Sequence, residues 1–116
     1  MKSINTFITE KLKVKTTKSG DCTVEEFLVW YYFDNKKPIE DLTFNEFYCV
    51  DFEPQVVEVY FDNNEKKLYD FLMDHLDDEI ELYYVEESDY TYYRFFIDNI
   101  SFTVENYSAQ KFEKKK

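Results

Sequence analysis

The stretch EIELYYVEESDYTYYRFFIDNISFTVE, residues 79–105, decides the fold. Its apolar residues recur with period 2, the period of strands that bury one face. Residues 79–85 read as a first strand, 86–89 as a turn, 91–97 as a second strand and 100–104 as a third. Asp98-Asn99 has the length and chemistry of a tight hairpin turn. The three strands predict an antiparallel meander.

Upstream the period changes to 3.6. Leu68, Phe71, Leu72 and Leu76 fall on one helical face, and Asp62 with Glu65 has capping-box spacing, which predicts a helix over 63–77. Before it, Val57, Val59 and Phe61 alternate with Glu58 and Tyr60, a pattern that predicts a strand over 56–61 after the break at Pro54. Thr23 and Glu26 form a second capping-box pair ahead of a helix over 24–33, whose inward stripe is Val24, Phe27, Leu28 and Tyr31. Residues 35–38 break it, and Thr43 with Glu46 repeats the capping spacing before a short helix over 44–48. The fold class is α+β: a small single domain with an antiparallel sheet of about four strands, a β-α-β-β-β core with helices packed on it, and a short N-terminal helix in front. Residues 1–20 read as an amphipathic leader helix and basic linker, 21–110 as an acidic, aromatic-rich domain, and 111–116 as a basic disordered tail.

The composition narrows function by exclusion. The 116 residues include 12 Phe, 11 Tyr and one Trp, which argues for a packed domain and against an acidic disordered chain. A single glycine, Gly20, stands where average usage would place about eight, so phosphate-cradling loops and dinucleotide fingerprints are absent. One His (His75) and one Arg (Arg94) leave little for acid–base chemistry, and His75 lies near a helical apolar stripe, where a packed ring is expected. The order Asp51, Glu65, Lys67 is similar to an acid–acid–lysine nuclease pattern, but its Glu and Lys would open a helix instead of lying on a strand. Asp74, Asp77, Asp78, Glu79 and Glu81 lack calcium-loop spacing, so no metal or other cofactor is expected. No serine or threonine has a nearby base, and the chain is not expected to be an enzyme. Cys22 and Cys49 lack CxxC spacing and read as reduced thiols, their pairing left open. No uncharged run exceeds seven residues and the N-terminus lacks a secretory apolar core, so neither membrane nor export is expected.

Charge points to a partner class. Net charge is −11; residues 1–20 hold five Lys and one Glu (+4), and 111–116 hold four Lys and one Glu (+3), and taking that net +7 away leaves −18 on residues 21–110. Such a body repels nucleic acid and membrane surfaces and is drawn to basic grooves; the plain alternative is charge kept for solubility. The expected partner-binding residues are Asp70, Asp74, Asp77, Asp78, Glu79, Glu81, Tyr83, Glu86, Glu87 and Asp89, a row of carboxylates that could imitate phosphates. Tyr60, Tyr83, Tyr90, Tyr92 and Phe96 fall opposite the helix-facing positions, with Glu58, Glu81, Glu87 and Glu105 around them. Either the 24–33 helix covers this second face or it is an exposed aromatic surface; cover by the helix is the expectation.

The opening Met1-Lys2-Ser3-Ile4-Asn5-Thr6-Phe7-Ile8-Thr9-Glu10 resembles the head-targeting leader of T-even-like bacteriophage internal proteins. That leader runs Met-Lys-Thr, three variable residues, Phe-Ile, a small residue and Glu. Met1, Lys2, Phe7, Ile8 and Glu10 match, and Ser3 replaces Thr. In the family a prohead protease cuts after an Ile/Leu-x-Glu triplet, which Ile8-Thr9-Glu10 fits, although Lys11 follows where the family has a small residue. The resemblance spans about ten residues and implies packaging in a phage head and injection into the host cytoplasm. Without it, Ile4, Phe7, Ile8 and Leu12 form an ordinary amphipathic first helix. Together, leader and charge predict a phage or mobile-element protein that inhibits a host nucleic-acid-binding defence system by nucleic-acid mimicry. The alternative is a virion internal or structural protein that docks through its leader and aromatic surface.

Overall fold

Thr23 and Glu26 close the reciprocal capping box that their spacing implies. The Glu26 N–H donates to Thr23 Oγ1 (3.1 Å) and the Thr23 N–H donates to Glu26 Oε1 (2.9 Å). This starts helix α1, Val24–Phe33, in a computed structural model that describes residues 15–48, 52–87 and 90–105. Around it lie β1 (Lys15–Thr23), a 3₁₀ turn (Ile39–Asp41), α2 (Phe44–Tyr48), α3 (Pro54–Tyr60), α4 (Glu65–Asp74), β2 (Glu79–Glu86), β3 (Thr91–Ile97) and β4 (Ile100–Glu105). The strands form one antiparallel sheet in the order β1-β2-β3-β4. The α+β class and the three-strand meander of residues 79–105 stand as read from the sequence.

Three element assignments are corrected. Residues 56–61 are helical. Pro54 occupies the first turn of α3, where its missing N–H costs nothing. The helix buries Val56 and Val57 and turns Val59 outward at 61% exposure, so the apparent alternation was coincidental. The fourth strand instead comes from residues 15–23, the first six of which their composition assigns to a linker. This edge strand is mostly solvated, with only Cys22 fully buried, so it carries no apolar alternation to detect. Its register with β2 shifts between Lys18 and Gly20, a bulge that uses the glycine at φ 136°. Third, the helix expected over 63–77 is shorter, and its cap is Asn64, whose side chain accepts from the Lys66 N–H (3.0 Å).

Asp62 is instead part of a turn. It and Asn63 both take left-handed φ (53° and 57°), as do Asp34-Asn35 and Asp98-Asn99. A chain nearly without glycine thus uses one dipeptide, Asp-Asn, at three reversals, because short polar side chains tolerate this region best after glycine. At 98–99 the two positive φ values are what a two-residue hairpin requires.

The core lies on one side of the sheet. Tyr93, Phe95, Ile97, Phe102 and Val104 are buried there with Ile80 and Leu82, against Phe27, Leu28, Leu68 and Leu72 from the helices. The Phe27 ring stands edge-on to Tyr93 (5.7 Å) and Phe95 (5.4 Å), and Phe95 stacks on Phe102 (5.3 Å). Helix α1 therefore covers the inner face, not the second face as expected. On the outer side of the sheet Arg94 and Phe96 are exposed, whereas Val85 is buried. The leader residues Phe7, Ile8 and Glu10 and the 111–116 tail lie outside the described residues.

Candidate partner-binding surface

The outer sheet face is laid out by register. Lys18 of β1, Tyr83 of β2, Arg94 of β3 and Thr103 of β4 form one cross-strand row, and Thr16, Val85, Tyr92 and Glu105 form the next. Period 2 then places Glu81, Phe96 and Ser101 on the same side, and the β1 bulge brings Asp21 there opposite Glu81. Phe96 is 51% exposed, an unusual degree for so large an apolar ring in a strand. Tyr60, expected here, is on α3 instead, as is Glu58.

The ten expected partner-binding residues do not make one row. Asp70 on α4 is ion-paired with Lys66. Asp74, Asp77, Asp78 and Glu79 gather where α4 passes into β2. They are exposed, and among the described residues none is ion-paired with a lysine or arginine. Glu81 and Tyr83 sit mid-sheet, where the Tyr83 hydroxyl donates to Glu81 (2.7 Å) and Lys18 lies 3.9 Å from the same carboxylate. Glu86 and Glu87 are at the far end of β2, and Asp89 lies outside the described residues. Seven residue steps of strand, at about 3.4 Å each, put Glu79 and Glu86 roughly 24 Å apart. Two acidic ends thus flank a middle holding Lys18 and Arg94.

The α4–β2 junction is fixed by backbone. The Val24 N–H donates to the Asp78 carbonyl and the Glu25 N–H to the Leu76 carbonyl, both at 3.0 Å. These bonds use two first-turn donors of α1 that would otherwise lack partners, and they set the 76–78 backbone beside the positive end of that helix. Asp98, from the β3–β4 turn, joins the group across a shallow cleft of about 280 Å³ that it shares with Asp78, Glu79 and Phe96. The half-buried His75 ring stacks on Phe71 (4.0 Å between centroids), with Nε2 3.4 Å from the Asp98 carboxylate. Among the described residues no group of three or more His, Cys, Asp or Glu side chains is placed to hold a metal ion.

At the opposite end, Tyr90 and Tyr92 stack at 5.6 Å, and Tyr92 donates to Glu87 (3.2 Å). The carboxylates act on the phenols. Glu87, accepting from Tyr90, holds that hydroxyl above its ordinary pKa, with Glu105 and Glu53 adding to the effect. Tyr92 is raised first by burial and then by Glu87, and Tyr83 by its hydrogen bond to Glu81. Burial and nearby negative charge both oppose forming a phenolate.

Asp98, Glu53 and Arg94 belong to this surface and were not singled out for it. Arg94 was findable, since period 2 places it between Tyr92 and Phe96. Asp98 and Glu53 were not, because a hairpin turn and a β4-edge contact bring them in from elsewhere in the chain. The chain matches no family model, no curated protein and no solved structure. Among the described residues no helix is long and apolar enough to cross a membrane.

Proposed function

We propose that this chain is a non-enzymatic protein that inhibits a host nucleic-acid-binding defence protein by occupying its basic groove. One observation carries the reading: Asp74, Asp77, Asp78 and Glu79 share one junction, tied by backbone to α1, without a lysine or arginine partner among the described residues. Such a group holds its negative potential outward, attracting a surface that normally neutralises phosphates. The partner is a protein; nucleic acid and anionic membranes are repelled. The leader-like residues 1–10 support a phage or mobile-element origin, with packaging in a head before release into the host cytoplasm. Exposed Phe96 and Tyr90 on the outer sheet face favour the second reading, a virion internal or structural protein that docks by this aromatic surface.

The test is a pull-down from host lysate at low and high salt, followed by a nucleic-acid-binding assay with the captured protein. Inhibition that the triple variant Asp77→Lys, Asp78→Lys, Glu79→Lys loses supports mimicry. Equal inhibition by that variant ends it.

A further inference from the structure

The hairpin end of the outer face contains a groove of about 490 Å³ at the β4 edge, lined by Glu53, Tyr90, Tyr92, Arg94, Thr103 and Glu105. Its volume falls within the range of about 300–1,000 Å³ typical of ligand sites. One wall is the stacked pair Tyr90 and Tyr92, the first 52% exposed. Glu53 forms the facing rim. Its N–H donates to the Thr103 carbonyl (3.0 Å), and Phe52 beside it bridges Val104, so this segment is tied to the sheet edge. Glu53 precedes α3 but makes no side-chain cap bond, which leaves its carboxylate available. Glu105 stands in register with Tyr92 and completes the rim.

Arg94 lines the inner end of this groove and is the one cation among the described residues there, acting on Tyr92 against the pull of Glu87. Its Nε donates to Ser101 (3.2 Å) and its guanidinium lies over the Phe96 ring at 5.7 Å. Ser101 pairs with Phe96, two residues along β3 from Arg94 and on the side away from Tyr92. The cationic head is thus engaged by Ser101 and Phe96 at the inner end, and three carboxylates outnumber it at the tyrosine end. The tyrosine end presents two rings with Glu53, Glu87 and Glu105 around them, and the hydrogen bond to Glu87, with the other carboxylates adding to it, raises the Tyr90 hydroxyl. Aromatic faces rimmed by carboxylates match a cation with an apolar stem, because the ring quadrupole and the carboxylates attract the charge while the rings cover the methylenes.

We propose that this groove receives one lysine or arginine side chain of the partner protein, so that the junction carboxylates attract the partner and the groove fixes its register. The inference deepens the function proposed above and rests on it for the partner's basic character, but its test does not.

The experiment is an NMR titration of the ¹⁵N-labelled full chain with blocked Gly-Lys-Gly and Gly-Arg-Gly tripeptides, with Gly-Gln-Gly and Gly-Glu-Gly as neutral and acidic controls. Saturable shifts are expected at the amides of Tyr90, Tyr92, Thr103 and Glu105 with the basic tripeptides alone. Tyr90→Ala should weaken binding about three- to fivefold, the loss of one exposed cation–π contact, while Tyr90→Phe keeps the ring and the binding. The pair Glu53→Gln, Glu105→Gln should weaken it about fivefold, two exposed ion-pair terms. The equally charged control Asp77→Asn, Asp78→Asn should change it less than about twofold, since screening isolates charges more than about 10 Å away. A preference for the acidic tripeptide, or an equal loss in the junction control, would overturn the proposal. So would binding that appears only in a chain cut after Gln110, which would make the chain's own lysine tail the occupant. If groove binding persists while the triple-lysine junction variant still inhibits, the proposed function fails and the groove stands. The converse result separates them the other way.

Discussion

Replacing Phe95 and Phe96 by alanine, one at a time, separates two positions that adjoin in sequence and differ only in the sheet face they occupy. Phe95 is fully buried against Phe27 and Phe102, with centroids 5.4 and 5.3 Å away. Truncating a ring in such a place loses its transfer free energy and leaves a cavity, together about 3–5 kcal/mol. At roughly 4 °C per kcal/mol for a domain of this size, the midpoint should fall about 12–20 °C. Phe96 is half exposed on the outer face and touches the Arg94 guanidinium. Losing that contact costs about 0.5–1 kcal/mol, a fall of no more than about 4 °C. Thermal melts followed by far-UV circular dichroism, with urea titrations as a second measure, give both numbers. A Phe96→Ala midpoint lower by about 10 °C or more would show that something packs on the outer face and would refute the exposed surface on which the binding argument stands.

Other consequences follow from the same geometry. Asn99→Gly should hold or raise stability, whereas Asn99→Val should cost about 1–2 kcal/mol, because φ at this position is 67° and a β-branched residue is strained there; urea midpoints decide. Deleting residues 1–10 should move the midpoint only a few degrees, whereas deleting 1–20 removes six of the nine residues of β1 and should abolish the cooperative transition. In Glu81→Gln the Tyr83 phenol should ionise at lower pH than in the wild type, read from the ¹³Cζ shift of that tyrosine. The sign for stability follows: a phenol raised in the folded state favours folding below its unfolded pKa near 10, and this contribution is lost as pH rises through the folded value.

Which elements were legible in the sequence depended on whether their signal was local. The capping box at Thr23, the period-2 strands of 79–105 and the Asp98-Asn99 turn each rest on residues a few positions apart, and all three stand. Residues 56–61 misled because Val56, Val57, Val59 and Phe61 fit both periods over so short a span, and only Pro54 at the helix start distinguished them. Strand β1 was hidden by chemistry. An edge strand protected by lysines and a bulge shows little of the apolar pattern that marks strands. The acidic surface was half legible. The junction residues are sequence neighbours, but their separation from Glu86 and Glu87 by the length of β2, the pairing of Glu81 with Lys18, and the arrival of Asp98 and Glu53 are all products of register.

The central claim is competition for a basic groove. Its most direct measurement is displacement of a fluorescently labelled duplex from the captured host protein, followed by anisotropy, as the chain is added at low and high salt. The account predicts full displacement at low salt, much weaker displacement at high salt as screening removes the attraction, and none by the variant Asp77→Lys, Asp78→Lys, Glu79→Lys. Simultaneous binding of duplex and chain, or undiminished displacement by that variant, would contradict it.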